Sequence, residues 1–376
     1  MRWSALSLVL FFFATATPWA ASPKGPPQQS AWMLGPFSRP SDAQPVMTAR
    51  PDAVFPDPIT GEPVHWEALH TFNPAAIVRD GVLDVLYRAE DDSGSMQIGM
   101  HTSRLGLASS QDGLHFTRAP QPIFFPAKDA EQSREWPGGT EDPRIVESPE
   151  GGYVITYTQW NRTTYRVGIA TSPDLHHWTK HGPAFGLDRW AAMKYKSAGI
   201  LTECETHGRC LAVKLHGHYW MYWGEVEIGL ATSDDLIHWA PVTSPDGQPL
   251  VLMRARPRRF DSALPEVGPP PVLTKQGIVL LYNGKNAAGA DRDPSLAPGV
   301  YSVGQALFSA DEPTRLLART DHPFFKPKLP WEQSGQYAAG TTFAEGLVWF
   351  HDRWWLYYGC ADSRVGVAMS PTGAQH

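Results

Sequence analysis

Gly106-Leu-Ala-Ser-Ser-Gln-Asp-Gly-Leu-His-Phe116, Gly168-Ile-Ala-Thr-Ser-Pro-Asp-Leu-His-His-Trp178 and Gly229-Leu-Ala-Thr-Ser-Asp-Asp-Leu-Ile-His-Trp239 are three versions of one pattern. Two weaker copies follow, Gly304-Gln-Ala-Leu-Phe-Ser-Ala-Asp311 and Gly366-Val-Ala-Met-Ser-Pro371. Anchored on Ser109, Ser172, Ser233, Ser309 and Ser370, the copies lie 63, 61, 76 and 61 residues apart. A motif returning at a near-fixed interval marks a repeat architecture. Gly-x-Ala-x-Ser alternates small and apolar positions, as a strand packed close to its neighbours requires. The Asp that follows is placed to fold back on the backbone as an Asx-turn. The motif therefore reads as structural.

Two further strand-like runs precede each copy. The second of them ends in aromatic and then polar residues: Leu86-Tyr-Arg-Ala-Glu90, Tyr157-Thr-Gln-Trp160, Tyr222-Trp-Gly-Glu225, Tyr282-Asn-Gly-Lys285 and Tyr357-Tyr-Gly-Cys-Ala-Asp362. Five units of several antiparallel strands predict an all-β, five-bladed β-propeller spanning residues 67–372. Residues 22–66 read as a Pro-rich arm that wraps the outside or lends a strand to the last blade. In a propeller the strand ends converge on an axial funnel, so that is where the chemistry is expected.

Composition agrees with such a fold. Hydrophobic residues make up 42% and charged residues 19% of the 376, enough to bury a substantial core. Gly (33) and Pro (35) together reach about 18%, below the ~25–30% of low-complexity chains but frequent enough to punctuate many short strands. The net charge of −6 and the lack of a basic stripe argue against a nucleic-acid partner. Fifteen Trp supply flat apolar faces with one polar N–H, suited to stacking on sugar rings as well as to the core.

Arg2, the apolar run Ala5–Ala16 and the small residues up to Ala21 predict a signal peptide at 1–21 and an exported protein, periplasmic or extracellular. The run is too short to span a membrane. Cys204 and Cys210 bracket a hairpin-like tip and can pair in an oxidising compartment, leaving Cys360 as a buried thiol.

Three acids stand out at predicted strand ends. Asp142 lies in Gly138-Gly-Thr-Glu-Asp142-Pro-Arg-Ile, Glu225 closes Tyr222-Trp-Gly-Glu225, and Glu266 sits in Leu264-Pro-Glu-Val-Gly-Pro-Pro-Pro271. Two carboxylates across a scissile bond are what glycoside hydrolysis needs, one to protonate the leaving oxygen and one to activate water or attack. Side chains alternate along a strand, so Glu141 and Asp142 are expected on opposite faces, with only Asp142 in the funnel. Pro143 is expected as the first residue of an edge-facing strand. Arg144 on the same face would depress the pKa of Asp142, so it is expected to turn away or pair with Glu147 or a substrate hydroxyl. His216-Gly-His218 and His176-His177 lack further ligands at zinc spacing, and no phosphate-cradling loop or nucleophile elbow is present, so no metal or organic cofactor is expected.

These residues resemble glycoside hydrolase family 130, the β-mannoside phosphorylases and β-mannosidases. The resemblance runs from Asn73 to Met369. It rests on Glu141-Asp-Pro-Arg-Ile145, the repeated strands, Tyr301-Ser-Val-Gly-Gln-Ala-Leu, Pro313-x-x-Leu-Leu-Ala-Arg319 and Tyr357-Tyr-Gly-Cys-Ala-Asp362. It implies a five-bladed propeller, Asp142 as general acid, Asp362 as a sugar-binding acid in the −1 subsite, and Asn73 and Arg88 as further contacts there. Lys196 falls where the family approaches the substrate.

The family divides by nucleophile. Phosphorylases hold phosphate with basic side chains and need no catalytic base, whereas hydrolases need a second carboxylate. Met221-Tyr-Trp-Gly-Glu225 and Pro265-Glu-Val-Gly-Pro-Pro270 look like the hydrolytic β-1,2-mannosidase branch, which implies the base role for Glu225 and Glu266. The expected activity is inverting, exo-acting hydrolysis of β-1,2-linked mannosides, and the expected partner is a mannose-containing oligosaccharide. Arg144, Arg162, Lys194, Lys196 and Lys285 keep a phosphorylase as the competing reading. The same sequence is also compatible with a non-catalytic glycan-binding propeller or a five-bladed furanosidase.

Overall fold

In every unit an aromatic side chain of the middle strand lies across the repeat glycine or immediately beside it. Tyr87 pairs with Gly106, Tyr157 with Gly168, Trp223 with Gly229, Tyr282 with Gly304 and Tyr358 with Gly366. A Cβ on Gly106 would come within 2.3 Å of the Tyr87 ring, and one on Gly168 within 2.6 Å of Tyr157. The recurring Gly-x-Ala is thus a steric requirement, because the ring fills the space a side chain would take.

The computed structural model describes Met1 and residues 30–205 and 207–373. The expected signal peptide lies almost wholly outside the described residues. Strand pairing groups the chain into five antiparallel units in sequence order. The first is His70–Arg79, Val82–Glu90 and Ser103–Ser110; the second is Gly139–Glu147, Tyr153–Trp160 and Tyr165–Ser172. The third is Ala198–Ile200, His218–Trp223 and Ile228–Ser233; the fourth is Leu264–Val267, Gly277–Lys285 and Tyr301–Phe308; the fifth is Thr342–Phe350, Arg353–Cys360 and Arg364–Met369. Among the described residues, helix is confined to Gln132–Glu135 and the 3₁₀ turn Pro330–Glu332. The protein is therefore nearly all-β. No helix among these residues is long and apolar enough to cross a membrane.

Neighbouring units share apolar cores. One cluster joins Tyr87 and Val85 of the first unit to Tyr357 and Val348 of the fifth, and another joins Val146 and Ile169 of the second to Met221 of the third. Residues Trp32–His376 form one compact unit. Within it the segment before the first unit is fastened by buried charge. Arg104 donates to Asp57 at 2.5 Å and Asp91 at 2.7 Å, and Arg39 donates to Glu332 at 2.6 Å. The same segment adds antiparallel bridges to the last strand, Ser38 to Met369 and Met47 to Val365.

The turn after each repeat strand is built as an Asx-turn. Asp112, Asp174 and Asp235 each accept two backbone N–H bonds, from His115, His177 and His238 and the residue before each of them. The serine that seats this turn in the first unit is Ser110, not Ser109. Ser110 Oγ accepts from Gly113 N as Ser172 Oγ does from Leu175 N, while Ser109 Oγ donates to Asp84. The corrected anchor shortens the first interval and tightens the repeat. Cys204 and Cys210 form a disulfide, and Cys360 is a free, buried thiol.

Candidate active site

Strand regularity fails where the side chains matter. In the second unit Glu141 pairs with Thr158 and Arg144 with Thr156, so Asp142 and Pro143 together face a single residue. This is a β-bulge, which re-aims side chains and breaks the two-residue alternation. Asp142 has φ 49°, in the left-handed region. Asn73, at the matching bulge of the first unit and likewise followed by proline, has φ 47°. Ser197, Val226 and Asp362 share this uncommon backbone, which clusters at functional sites because it carries a steric cost.

The bulge corrects two expectations. Glu141 and Asp142 both line the cavity instead of facing opposite ways, because the extra residue resets the alternation. Pro143 lies inside the strand Gly139–Glu147, at the bulge, where its missing N–H leaves no ladder position empty.

A cavity of about 280 Å³ gathers Asn73, Arg88, Asp142, Lys196, Glu225, Glu266 and Asp362, all seven residues singled out from the sequence. Sequence reasoning missed the aromatic wall of Phe72, Trp160, Tyr165, Tyr337 and Phe343, and missed Glu141, Thr158 and Thr341. The hydroxyls of Thr158 and Thr341 have no partner among the described residues, nor has Glu266 Oε2. Buried polar atoms left in this way are partners in waiting for ligand hydroxyls.

On one wall Arg88 is the hub. It meets Glu90 at 2.6 Å, Glu141 at 2.8 Å and Asp142 at 3.2 Å, and its guanidinium lies 4.6 Å from the centre of the Phe72 ring. Burial alone would weaken its charge, but the surrounding carboxylates hold it firmly protonated. Asn73 Nδ2 donates to Asp142 Oδ1 at 2.8 Å. Burial tends to raise the pKa of Asp142, yet Arg88 overcomes that and holds it low. Burial pushes its neighbour Glu141 up to about 7, and it does the same to Asp362. Adjacent buried carboxyls of this kind titrate as a group, so the wall keeps a proton near neutrality. Arg144 pairs with Glu345 at 2.8 Å rather than with Glu147, and it also donates to the carbonyls of Asp142, Val267 and Gly268. Contrary to expectation it stays close enough to help hold the Asp142 carboxyl low, after Arg88 and Lys196. Glu147 pairs with Arg209 instead.

The same cavity holds a second carboxylate pair. Glu225 and Glu266 face each other across a backbone bridge, held by Val226 N to Pro265 O at 3.0 Å and Val267 N to Gly224 O at 3.2 Å. Lys196 Nζ lies 3.5 Å from Glu225 and 3.4 Å from Glu266. Burial works against the lysine charge, but the two glutamates hold it well above its usual range. Ser197 Oγ donates to Glu266 Oε1 at 2.6 Å, leaving Oε2 open. Burial raises Glu266 to about 6 in spite of Lys196. Of the other cations, Lys194 reaches the Thr163 carbonyl and Lys285 sits over Tyr301 and Tyr337.

The support beneath Asn73 gives a direct test. A Cβ on Gly359 would fall 2.3 Å from Asn73 Oδ1 and 3.1 Å from its backbone nitrogen. Gly359→Ala should therefore leave a folded protein that has lost the Asn73–Asp142 bond. Displacements of that size cost about 10²-fold in rate. Steady-state kinetics beside a thermal melt check this; an unchanged kcat/KM would show that Asn73 has no positioning role.

Two carboxylate pairs, aromatic faces and unpaired hydroxyls around one cavity of a nearly all-β fold define a carbohydrate-active enzyme. Residues 40–373 match the glycoside hydrolase 130 family, described as beta-1,4-mannooligosaccharide phosphorylase. The chain belongs to glycoside hydrolase family 130. A 1,2-beta-oligomannan phosphorylase of Thermoanaerobacter sp. (strain X514) is 33% identical over 81% of this chain and 90% of its own length. One solved structure, reported with the finding that this family of mannoside phosphorylases contains glycoside hydrolases that target beta-1,2 mannosidic linkages in Candida mannan, is 49% identical. It has a TM-score of 0.89 and covers 93% of this chain and 98% of that one. A glycosyl hydrolase from Bacteroides ovatus is 48% identical, with a TM-score of 0.88, over 92% and 96% of the two chains.

Proposed function

We propose that this enzyme is an inverting, exo-acting β-mannosidase that hydrolyses β-1,2-linked mannosides. The observation that carries the reading is the pair Glu225 and Glu266 on the same cavity as Asp142, with Lys196 neutralised between them. A phosphorylase would need cations free to hold phosphate. Here the two cations that line the cavity, Arg88 and Lys196, are each within ion-pair distance of two or more carboxylates. The similarity to a structure reported with the finding that the family contains hydrolases targeting beta-1,2 mannosidic linkages supports the same choice.

In this mechanism a terminal mannose sits between the walls, held by Asn73, Arg88 and Asp362. Asp142 passes a proton to the glycosidic oxygen, directly or through a sugar hydroxyl. Glu266, with Glu225, removes a proton from the water that attacks the opposite face. Inversion requires the acid and base carboxylates to stand ~6.5–9.5 Å apart. We place these groups at the axis of a closed five-bladed propeller; the first and fifth units, which share a core cluster, are the ones that close the ring. Export of the mature enzyme suits a water-using activity, and the Cys204–Cys210 disulfide suits an oxidising compartment.

Incubation with β-1,2- and β-1,4-mannobiose, with and without inorganic phosphate, tests the reading. It expects free mannose from the β-1,2 substrate, unaffected by phosphate and released first as the α-anomer. Mannose 1-phosphate would instead establish the phosphorylase reading, which the names of the curated relatives favour. Activity should also trace a bell against pH. The base must be ionised, so kcat/KM should rise as Glu266 loses its proton near pH 6. Asp142 itself is held low by Arg88, so the proton it delivers is drawn from the buried carboxyl group it forms with Glu141 and Asp362, and kcat/KM should fall as that group deprotonates near pH 7. A rate that climbs steadily above pH 8 would contradict the acid assignment.

A further inference from the structure

Behind Arg88 the first unit brings together three side chains that the hydrolytic reading does not use. His70 opens the strand His70–Arg79, and its register partner is Glu90 at the end of Val82–Glu90. His101 lies two residues before Ser103–Ser110, whose first residue also pairs with Glu90. Two turns of chain thus deliver two imidazoles and a carboxylate to one end of one sheet. Each offers one ligand atom, and those atoms lie within 4.8 Å of one another. Glu90 and His101 are buried.

We propose that His70, Glu90 and His101 form a binding site for a divalent transition-metal ion of zinc type. Three further observations support it. His101 Nδ1 lies 2.8 Å from the Ser93 carbonyl, so this nitrogen carries the proton and Nε2 keeps its lone pair. That arrangement, with one ring nitrogen given to a carbonyl and the other left bare, is how metal-bound histidines are usually oriented. His70 Nδ1 is buried with no partner among the described residues, which is unfavourable unless something supplies one. Glu90 takes one bond on each oxygen, from Arg88 at 2.6 Å and Gln336 at 3.0 Å. A carboxylate has about four lone-pair positions, so coordination need not break either bond. Two histidines and one carboxylate match the donor set of zinc and its neighbours, with a further position for water.

A bound ion would act on the sugar wall through Glu90. Glu90 orders Arg88, which reaches Asp142, and Gln336, which also donates to the Asp362 carbonyl at 2.8 Å. Glu90 and Gln336 are positioning groups in this proposal, Arg88 keeps its contact with the sugar, and no step of the reaction passes through the ion.

The test is calorimetric titration of zinc chloride into the full chain after chelator treatment and dialysis. The exposed pairs His115–Asp112, His177–Asp174 and His238–Asp235 can bind zinc weakly, so the comparison with variants decides. The expected result is one strong equivalent, weakened by more than about 10-fold in His70→Ala and in His101→Ala. Cobalt substitution should give visible bands that both variants lose. His70 is only partly buried, so His70→Ala decides alone if removal of the buried His101 impairs folding. Failure of the unsubstituted chain to take up one strong equivalent, or unchanged uptake by folded His70→Ala, overturns the site. Neither outcome bears on Glu225 and Glu266, so the metal site and the hydrolytic reading stand or fall separately.

Discussion

Asp142→Asn should lower kcat/KM on β-1,2-mannobiose by about 10³–10⁴-fold, within the range general acid catalysis contributes. That is roughly 4–5.5 kcal/mol of transition-state stabilisation. The substitution is nearly isosteric, and an amide oxygen can still accept the Asn73 bond that now reaches Asp142 Oδ1. Arg88 keeps Glu90 and Glu141 as partners, so no buried charge is stranded and the fold should hold. The loss would therefore report chemistry. Its dependence on the leaving group is the sharper readout. A sugar hydroxyl needs a proton to depart, whereas a nitrophenolate needs little help. The same variant should lose far less on 4-nitrophenyl β-mannoside, if that aglycone is accepted. Equal losses on both substrates would mean that Asp142 binds or orients the sugar without donating a proton. A thermal melt unchanged within a few degrees would separate either result from misfolding.

How much of the fold and site is legible in the sequence follows from which physics is local. The five-unit repeat can be read because Gly106 and Gly168 are fixed by contact with Tyr87 and Tyr157, a steric rule that leaves the same small residue in each copy. The Asx-turns can be read because Asp112, Asp174 and Asp235 bond to backbone two and three residues on. Asp142, Glu225 and Glu266 stand out because each sits at a predicted strand end inside a segment that carries the family resemblance. The bulge escapes the sequence reading. Asp142-Pro143 contains the signal, since proline in a strand marks either a bulge or an edge, and the edge is the wrong one of the two here. The same dipeptide logic applies to Asn73-Pro74. The cluster of His70, Glu90 and His101 is invisible because its members are separated by hairpins of different length, so no spacing rule links them. Arg144 illustrates the limit of pairwise reasoning. Its displacement from Asp142 is the expectation, yet it stays bonded to the Asp142 carbonyl, and its ion-pair partner Glu345 is in another unit, about two hundred residues away.

The base side carries the other large effect. Glu266→Gln should reduce hydrolysis by about 10³-fold or more. In the native site Ser197 occupies Oε1, and Oε2 is the oxygen left to accept a proton from water. An amide there can hold water but cannot deprotonate it. The variant also removes one of the two negative charges beside Lys196, leaving Glu225 as its counter-ion. A small anion that needs no base should then find both room and a less repulsive field at the point of attack. Added azide should restore cleavage, and the product should be the α-mannosyl azide, since a single displacement inverts the β configuration. A β-azide would require two displacements and would make one of the carboxylates a nucleophile. Rescue by phosphate equal to that by azide would mean that the cavity already holds a phosphate site, and the basic role of Glu266 would fall with it. Glu225→Gln should follow the same pattern. A smaller loss is expected there, because Glu225 is the more exposed of the two, whereas Glu266 is buried and keeps one oxygen open to accept a proton. The order of the two losses, Glu266 above Glu225, thus assigns the proton acceptor within the pair.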